Sequence, residues 1–499
     1  MEKVRNQIGV PLKSFIGCAI CIILMLIPAI PAYALPAEQT HAIQQLLDDA
    51  VRISGTPGIS AAVISDSQTY FFNAGHTSRS NRNDNTLVNE HTLYEIGSLS
   101  KAFTAVGILL LEAQGLLSTT DRIEYHLPWF YLTYQNEVAV VTIQHLLNHT
   151  SGLSINHADA PRGEGADMLR RTVEPFIGAR LDFAPGSAYA YGNANYNILG
   201  LIIEAVTGQS YESFMISQVF EPLGLHDTFL FHSEAIATGR MARGHRHAFF
   251  MTFTYDAPIY GGMKPTGFII SSTSDMARWM GIHLGLIQDI PDIFFTVIEN
   301  AHQVYAQSPS MGHPDEHYVG GWIHVVPIGM LAHAGQTPSF LSDVVLFTEE
   351  GLGIIFLSNG TNVDFGLSLR IDAILSGNLQ QDYTRSAAQQ SDVIDSLIII
   401  PLAILAVAGL VFGIRNRMKY KPKFTKIKII ILAILIPLLM LDIVTLFRFP
   451  AITGQGWVYI LDWWSPTAVI RLFVMFIFGV TTAWFVYTKN RQPKVNESM

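Results

Sequence analysis

Ser98 and Lys101 stand three residues apart in the segment YEIGSLSKAFTA, where an apolar helix begins. Positions three apart share one face of a helix, so the spacing predicts that the serine Oγ and the lysine Nζ meet. The helix N-terminus adds a positive field and free backbone N–H groups, which stabilise an alkoxide or an oxyanion. A lysine kept neutral by burial can accept the serine proton, so the pair indicates a nucleophile and its activator. The same residues also fit an N-cap serine followed by a solvated lysine.

Tyr191, Gly192 and Asn193 form a second group of candidates in the Gly-rich segment APGSAYAYGNANYNILG. A tyrosine acts as general base or acid when a nearby cation lowers its pKa, and Lys101 is the cation we expect beside it. Asn193 is expected to hydrogen-bond the lysine or an amide of the substrate. Taken alone, the segment also fits an ordinary surface turn that enters a helix.

His333, Ala334 and Gly335 lie in LAHAGQTPSF, between two runs that read as strands. A strand that borders a cleft presents backbone N–H groups, so those of Gln336 and Ser98 are predicted to form an oxyanion hole. Gly335 permits the close approach of a substrate, and His333 is expected to bind a carboxylate or carbonyl group. The alternative is that His333, one of 17 histidines, simply lies in a turn.

The elements that would position these residues follow from the hydrophobic pattern. Residues 38–54 and 98–114 are predicted as helices, and the second is apolar nearly all round. A closing helix is predicted at residues 362–375. Because strand-like runs stand at both ends of this region with helices between them, the order predicts an α+β domain whose antiparallel sheet combines both ends of the chain. The predicted strands are residues 58–65, 69–74, 322–335, 341–348 and 351–359.

Residues 1–34 have the pattern of a cleaved export signal. Three basic residues precede a short apolar run, which ends in the small-x-small motif Ala-Tyr-Ala. An uncleaved N-terminal anchor is the alternative, although the run is short for a spanning helix. The only two cysteines, Cys18 and Cys21, lie in this segment, so a mature domain would contain no disulfide.

The C-terminal part is predicted to lie in a membrane. A polar linker at residues 379–395 precedes a three-helix transmembrane region, residues 396–487, and a tail at 488–499. The first connecting loop and the tail are rich in Lys and Arg, so the positive-inside rule places both in the cytoplasm. The second loop is rich in Trp and Tyr, as outer interfacial loops are. We therefore expect a multi-pass protein of the cell membrane with an extracellular domain at residues 38–378. The predicted spans are residues 396–414, 429–446 and 468–487.

The predicted external part is acidic, since residues 37–395 carry 36 Asp and Glu against 16 Lys and Arg. Such a surface argues against nucleic acid as a partner. Only two of these basic residues are lysines, Lys101 and Lys264, which makes the place of Lys101 beside a serine more informative. The histidine pairs of the loops lack the spacing and further ligands of a zinc site, so no metal is expected.

Six motifs occur together in the order, and at about the spacing, found in serine β-lactamase-like proteins. The chain resembles the branch of class C β-lactamases, D-Ala-D-Ala carboxypeptidases and penicillin-binding-protein homologues over about residues 40–378. With its C-terminal spans it is similar to the membrane-anchored, FmtA-like type of staphylococci and other Gram-positive bacteria. The resemblance implies an antiparallel sheet flanked by helices, together with a helical region, and no cofactor. The motifs are YEIGSLSKAFTA, LLNHTSGL, YGNANYNILG, EPLGLHDT, GFIISSTSDMARW and HAGQTPSF.

The resemblance also implies a role for each candidate residue. Ser98 would be the acylated nucleophile, Lys101 would transfer its proton, and Tyr191 would serve as base and acid. Asn193 would bind the substrate amide, and residues 333–335 would form the strand that borders the cleft.

One motif departs from the family pattern, because His-Ala-Gly stands at 333–335 where Lys-Thr-Gly is usual. A histidine is charged only part of the time near neutral pH, so efficient β-lactam hydrolysis is in doubt. The segment Lys264-Pro265-Thr266-Gly267 looks like the missing motif. Its inserted proline and the neighbouring family motif place it elsewhere.

Two functions fit these observations. The first is an extracytoplasmic serine hydrolase, a DD-peptidase, esterase or weak β-lactamase, that forms an acyl-enzyme on Ser98. Its substrates would be D-amino-acid amides or esters of cell-wall type, such as a stem peptide, or small esters. The second is a membrane sensor or scaffold that keeps the cleft for binding without turnover. In both cases, lipid would surround the three predicted spans.

Overall fold

The computed structural model describes residues 35–78, 86–154, 160–304, 309–421, 457–488 and 492–493. The predicted export signal at 1–34, the second predicted span at 429–446 and most of the predicted tail lie outside the described residues.

A seven-stranded antiparallel sheet stands at the centre of the domain, in the order β2-β1-β7-β6-β5-β4-β3. The pair β1–β7 joins the first hairpin to the last strand, with Ile59 opposite Ser358. The prediction that the sheet combines both ends of the chain is therefore confirmed. The strands are β1 Gly58–Ser65, β2 Gln68–Gly75, β3 Glu316–Val319, β4 Trp322–Val325, β5 Met330–Gln336, β6 Leu341–Phe347 and β7 Leu352–Ser358.

The predicted strand at residues 322–335 is two strands, because a tight turn over Val326–Ile328 separates β4 from β5. The strand β3 was absent from the prediction, since its four residues are mostly polar. Short ladders outside the sheet pair Tyr94–Glu95 with Ile270–Ser271, Thr133–Tyr134 with Glu137–Val138, His245–Ala248 with Met251–Thr254, and Tyr420–Lys421 with Gln492–Pro493.

The helices of the described residues lie mostly between β2 and β3 along the chain. They are α1 Ala37–Ser54, α2 Ser100–Ala113, α3 Ile123–His126, α4 Ile143–Leu147, α5 Met168–Val173, α6 Asn193–Thr207, α7 Tyr211–Met215, α8 His232–Ala237, α9 Lys264–Gly267, α10 Thr273–His283, α11 Ile293–Ala301, α12 Leu367–Leu375, α13 Ala387–Lys419, α14 Trp457–Trp463 and α15 Pro466–Thr488.

Helices cover both faces of the sheet. Helices α1 and α12 pack on one face, and α10 packs on the other face against β1 and β7. Strand β1 is therefore buried on both sides: Ile59 and Val63 face α1, while Ala62 and Ile64 face the larger core around α2. Burial on both faces explains why β1 reads as a continuous apolar run instead of an alternating one.

Helix α2 lies inside the larger core, and every residue from 100 to 111 is buried. It is surrounded by α6, α9 and α11 and by the sheet. A single 3₁₀ turn, Gly97–Leu99, leads into it and carries Ser98. The predicted helix at residues 98–114 is thus present, with its first turn tightened.

Two described helices are long and apolar enough to cross a membrane by length and composition, over Ala387–Arg415 and Pro466–Trp484. Only 17% of the residues in the apolar window of each helix are buried, whereas the core helix α2 is buried along nearly its whole length. The two helices pack against each other. They coincide with the first and third predicted spans.

The predicted linker at residues 379–395 packs on the domain, and its last part belongs to α13. Ser386 and Gln389 form a reciprocal cap at the start of this helix, the S-x-x-Q pattern of a capping box. The Gln389 amide also donates to the carbonyl oxygens of Ile53 and Ser54 at 2.9 and 3.0 Å. The polar residues of this segment therefore attach α13 to the end of α1.

Gly321→Ala should destabilise the domain more than Gly115→Ala. Both glycines are left-handed, with φ of 86° and 72°, so each alanine costs about 1–2 kcal/mol of backbone strain. A Cβ at Gly321 would also lie 2.4 Å from the Ala102 nitrogen in α2, whereas none of the described atoms lies within 4 Å at Gly115. This clash should add about 1–3 kcal/mol. Urea unfolding of the detergent-solubilised protein measures both, and equal losses would contradict the packing of this turn on α2.

Candidate active site

Ser98 is fixed by the turn that precedes α2. Gly97 is left-handed, with φ of 55°, and a Cβ there would lie 2.3 Å from the Gln336 nitrogen. The turn is held from behind by Ser100, whose Oγ donates to the Gly97 oxygen at 2.7 Å and accepts from the Ile269 N–H at 3.1 Å. Glycine is required at position 97 because β5 runs directly against this turn and leaves no room for a Cβ there.

Two side chains, one from α2 and one from a loop, meet at this serine. The Lys101 Nζ lies 3.0 Å from the Ser98 Oγ, one helical turn away. The Tyr191 hydroxyl, from the loop before α6, donates to the same Oγ at 2.9 Å. The Nζ also lies 4.8 Å from the centre of the Tyr191 ring. The structure thus brings together the three residues predicted as catalytic.

Lys101 is fully buried, and its amino group donates to the Thr266 oxygen at 2.7 Å. Within the described part of the chain, it forms no ion pair with a carboxylate. Burial lowers the pKa of Lys101 well below its ordinary value, because the charged form loses its hydration without gaining a counter-ion. Burial therefore favours the neutral amine, and in that form its lone pair is available to the serine.

Asn193 begins α6 and lies at the edge of the site. Its side-chain oxygen accepts a hydrogen bond from the Thr266 hydroxyl at 3.1 Å, so Thr266 contacts both Lys101 and Asn193.

Lys264, the first residue of α9, is buried. Its Nζ pairs with Glu212 at 2.9 Å and lies 4.1 Å from the Phe231 ring centre. The lysine of Lys-Pro-Thr-Gly is thus engaged elsewhere, as predicted. The backbone of the same motif nevertheless supplies the oxygen that holds Lys101, which the sequence analysis missed.

His149 and Tyr318 support Tyr191 from behind, and neither was among the predicted site residues. The His149 ring centre lies 4.4 Å from that of Tyr191 and 4.5 Å from that of Tyr318. Its Nδ1 lies 3.0 Å from the Asn195 side-chain nitrogen, which is the donor. His149 is left-handed, with φ of 54°, and burial lowers its pKa. The only signal for it was the motif LLNHTSGL, which carries this histidine.

His333 differs from the prediction. It is buried, its Nδ1 donates to the Ala334 oxygen at 2.7 Å, and its Nε2 accepts from the Tyr318 hydroxyl at 3.0 Å. Burial, and then the nearby Lys101, lowers the pKa of His333 to about 3. The ring is therefore neutral near pH 7, in place of the partly charged ring that was expected. Side chains alternate along β5 and this one points into the core, and that His333 binds a carboxylate or carbonyl group stays a prediction.

The site opens into a cleft of about 340 Å³. Three groups of residues line it, and none of them is charged. They are Ser98, Tyr191 and Asn193 from the catalytic elements, Ala334, Gly335 and Gln336 from β5, and Phe365, Trp463 and Trp464 from the C-terminal half of the chain.

In the described ranges, no three His, Cys, Asp or Glu side chains form a group that would hold a metal ion. Of the loop histidines, His247 lies 3.3 Å from the Asp392 carboxylate, and His245 contacts the Asn359 oxygen at 3.1 Å. Both therefore take part in ordinary packing contacts of the domain.

Comparison with known proteins agrees with this geometry. Protein flp of Staphylococcus aureus (strain MW2) is 27% identical over 330 residues, which cover 64% of this chain and 63% of flp. Penicillin-binding protein 4* of Bacillus subtilis (strain 168) is 29% identical over 337 residues, covering 62% of this chain and 70% of that protein. The alignment thus spans less than two thirds of flp.

A solved structure with the same fold is that of the octameric penicillin-binding protein homologue from Pyrococcus abyssi, with a TM-score of 0.59 and 24% identity. The match covers 69% of this chain and 79% of that one. The sequence profile of the Beta-lactamase family matches residues 43–378, which is more than half of the chain and contains every candidate catalytic residue. The chain therefore belongs to the Beta-lactamase family and has the α+β fold of serine β-lactamases and penicillin-binding proteins.

Proposed function

We propose that this protein is a membrane-anchored serine hydrolase that forms an acyl-enzyme on Ser98. The observation that carries this proposal is the position of the Ser98 Oγ, 3.0 Å from the amine of a buried lysine and 2.9 Å from a tyrosine hydroxyl. Family membership supports the same class of chemistry. The name of the Bacillus relative, a penicillin-binding protein, supports a D-amino-acid amide or ester of cell-wall type as the substrate. Small esters are the other substrate class proposed.

Acylation would proceed in steps that the contacts support. Neutral Lys101 accepts the Ser98 proton, and the Oγ attacks the substrate carbonyl carbon. The N–H groups of Ser98 and Gln336 stabilise the oxyanion that forms, and the start of α2 adds its positive field. Tyr191 donates a proton to the leaving amine or alkoxide as the C–N or C–O bond breaks. A water molecule then gives a proton to the Tyr191 phenolate and attacks the acyl-serine carbonyl. As the ester C–O bond breaks and the acid is released, protonated Lys101 returns its proton to the Ser98 Oγ.

The neutral state of His333 restricts the substrate. None of the residues that line the cleft is charged, so a free carboxylate gains no ion pair where Lys-Thr-Gly would provide one. Esters and amides without a carboxylate at that position are favoured over β-lactams and over peptides that end in free D-Ala.

The cell membrane is the proposed location, with the hydrolase domain outside. The export-signal pattern, the two long apolar helices and the basic loop predicted between the spans support this orientation. Three crossings would place the basic loop and the tail in the cytoplasm.

Ser98→Ala should abolish covalent labelling by a fluorophosphonate or a fluorescent penicillin, because the hydroxyl that would be acylated is removed. In-gel fluorescence of the detergent-solubilised protein measures this, and Ser217→Ala is the matched control at a half-buried serine that does not line the cleft. Labelling that survives Ser98→Ala would refute the assignment. Saturable binding of substrates without any Ser98-dependent turnover would favour the sensor or scaffold instead.

Tyr191→Phe should lower kcat/KM by about 10²–10⁴-fold, which is the usual contribution of general acid–base catalysis. Phenylalanine keeps the ring that packs on His149 and removes only the proton donor. Tyr189→Phe is the control, since Tyr189 lies two residues away and its ring centre is 6.4 Å from that of His149. Ester hydrolysis measures both variants, and similar losses would show that Tyr191 has no specific part in proton transfer.

The pH profile should report the depressed pKa of Lys101. The lysine acts as a base in its neutral form, so activity is present above its pKa and is lost as the pH falls through that value. Because burial lowers this pKa, kcat/KM for an uncharged p-nitrophenyl ester should stay high at neutral pH. Lys101→Arg should be inactive throughout, because a guanidinium remains charged. An acid limb near the ordinary lysine value of about 10.4 would contradict the neutral base.

A further inference from the structure

The outer wall of the cleft comes from the segment that connects the apolar C-terminal helices. Trp463 ends α14, Trp464 follows it, and both line the cleft together with Ser98 and Asn193. The Trp463 ring packs edge-on against Phe268, with ring centres 6.0 Å apart. In the sequence, these residues belong to the loop predicted to lie at the outer membrane surface.

A buried carboxylate fixes this wall to the domain. Asp462 pairs with Arg162 at 2.5 Å and accepts hydrogen bonds from the hydroxyls of Tyr260 and, at 3.4 Å, Tyr255. The Asp462 side chain is 7% exposed, whereas that of Arg162 is 48% exposed. The three donors compensate the cost of burying this charge, and the hydrogen bond that Arg162 donates to Asp462 raises the pKa of Arg162.

Arg246 adds a second attachment from a different element. Its guanidinium donates to the Leu461 oxygen at 3.3 Å and to the Trp464 oxygen. Arg246 belongs to the hairpin formed by His245–Ala248 and Met251–Thr254, which also packs on α13 and α15. The same hairpin therefore contacts both apolar helices and holds the tryptophan wall.

The tip of this hairpin is apolar and conformationally strained. Phe249 and Phe250 both lie in the left-handed region, with φ of 52° and 64°, where non-glycine residues cost about 1–2 kcal/mol each. Asp392, near the start of α13, accepts hydrogen bonds from both N–H groups at 3.0 and 2.9 Å. Phe250 and Met251 are 49% and 65% exposed, beside the point where the apolar helices leave the domain. Such an edge suits the boundary between lipid and water.

These placements carry an inference that rests on the proposed function and narrows its substrate. We propose that the cleft opens at the outer surface of the membrane, with Trp463 and Trp464 as its lipid-side wall. Its substrate is then an amphiphilic amide or ester. The scissile carbonyl lies at Ser98, and an apolar chain passes along the two indole rings into the outer leaflet.

The chemistry of the cleft favours this substrate class. Its nine lining residues include the exposed Phe365 and the half-buried Trp463 and Trp464, and none is charged, so it offers apolar contact instead of ion pairing. A volume of about 340 Å³ is at the small end for a ligand site, which fits a head group whose chain remains outside. Tryptophan is enriched at the membrane–water interface, where such a chain would enter a bilayer.

The test uses the full-length protein in phosphatidylglycerol–phosphatidylcholine vesicles. The substrates share one D-amino-acid ester head group and carry acyl chains of two, eight or fourteen carbons. We expect kcat/KM to rise at least tenfold from the shortest to the longest chain. Trp464→Ala and Trp463→Ala should each lower, at least fivefold, the ratio of kcat/KM for the longest chain to kcat/KM for the shortest. Trp464→Phe should restore part of this ratio. Trp129→Ala is the matched control, because Trp129 packs 4.5 Å from Arg170 on a different part of the domain.

The outcomes separate the two proposals. Partitioning of the acyl chain into vesicles affects wild type and variants alike. If the ratio of kcat/KM between long and short chains is unchanged in both tryptophan variants, the proposal that Trp463 and Trp464 contact the apolar chain is refuted. If the wild type shows Ser98-dependent turnover with no chain-length preference, the proposal of an amphiphilic substrate is refuted, whereas the proposed serine hydrolase function stands. If no head group is turned over in a Ser98-dependent manner, the proposed function itself fails, and the substrate inference with it.

Discussion

A lysine that must stay uncharged beside a serine is the constraint on which the rest of the structure depends. Moving an isolated ammonium out of water costs several kcal/mol, so burial without a counter-ion favours the neutral form of the lysine. The enclosure requires a helix that is buried along almost its whole length, and α6, α9 and α11 provide it around α2. The Thr266 carbonyl then satisfies the amine without adding a charge that would restore its basicity to the ordinary value.

The groups around the serine also keep the site free of positive charge. His149 and His333 both lie in the buried layer behind Tyr191, and burial lowers the pKa of each, so neither carries a charge at neutral pH. A cationic imidazole here would oppose the ammonium that Lys101 becomes when it accepts the serine proton. The layer of aromatic rings and neutral imidazoles therefore allows the positive charge to appear only during the reaction.

The parts of this arrangement that could be predicted are those encoded by local spacing. The three-residue separation of Ser98 and Lys101 follows from helical geometry, and the apolar runs indicated both helices and most strands. Thr266 could not be predicted, because it acts through a backbone oxygen 165 residues from Lys101. The neutral state of His333 depends on which face of β5 is buried, and a one-residue shift of register would have reversed it. The packing of residues 379–395 escaped prediction because polar composition there reflects capping and inter-element hydrogen bonds instead of solvation.

The pairing of β1 with β7 also bears on how the chain reaches its native state. Ile59 and Ser358 lie opposite each other although almost the whole domain separates them in sequence. Contacts of such long range slow folding, because the loop between them must close before they contribute stability. During synthesis, an apolar strand buried on both faces in the native sheet must wait for the last strand of that sheet to be made. An unpaired edge of this kind promotes aggregation, so the chain has most need of a holding chaperone in the interval between the appearance of β1 and that of β7.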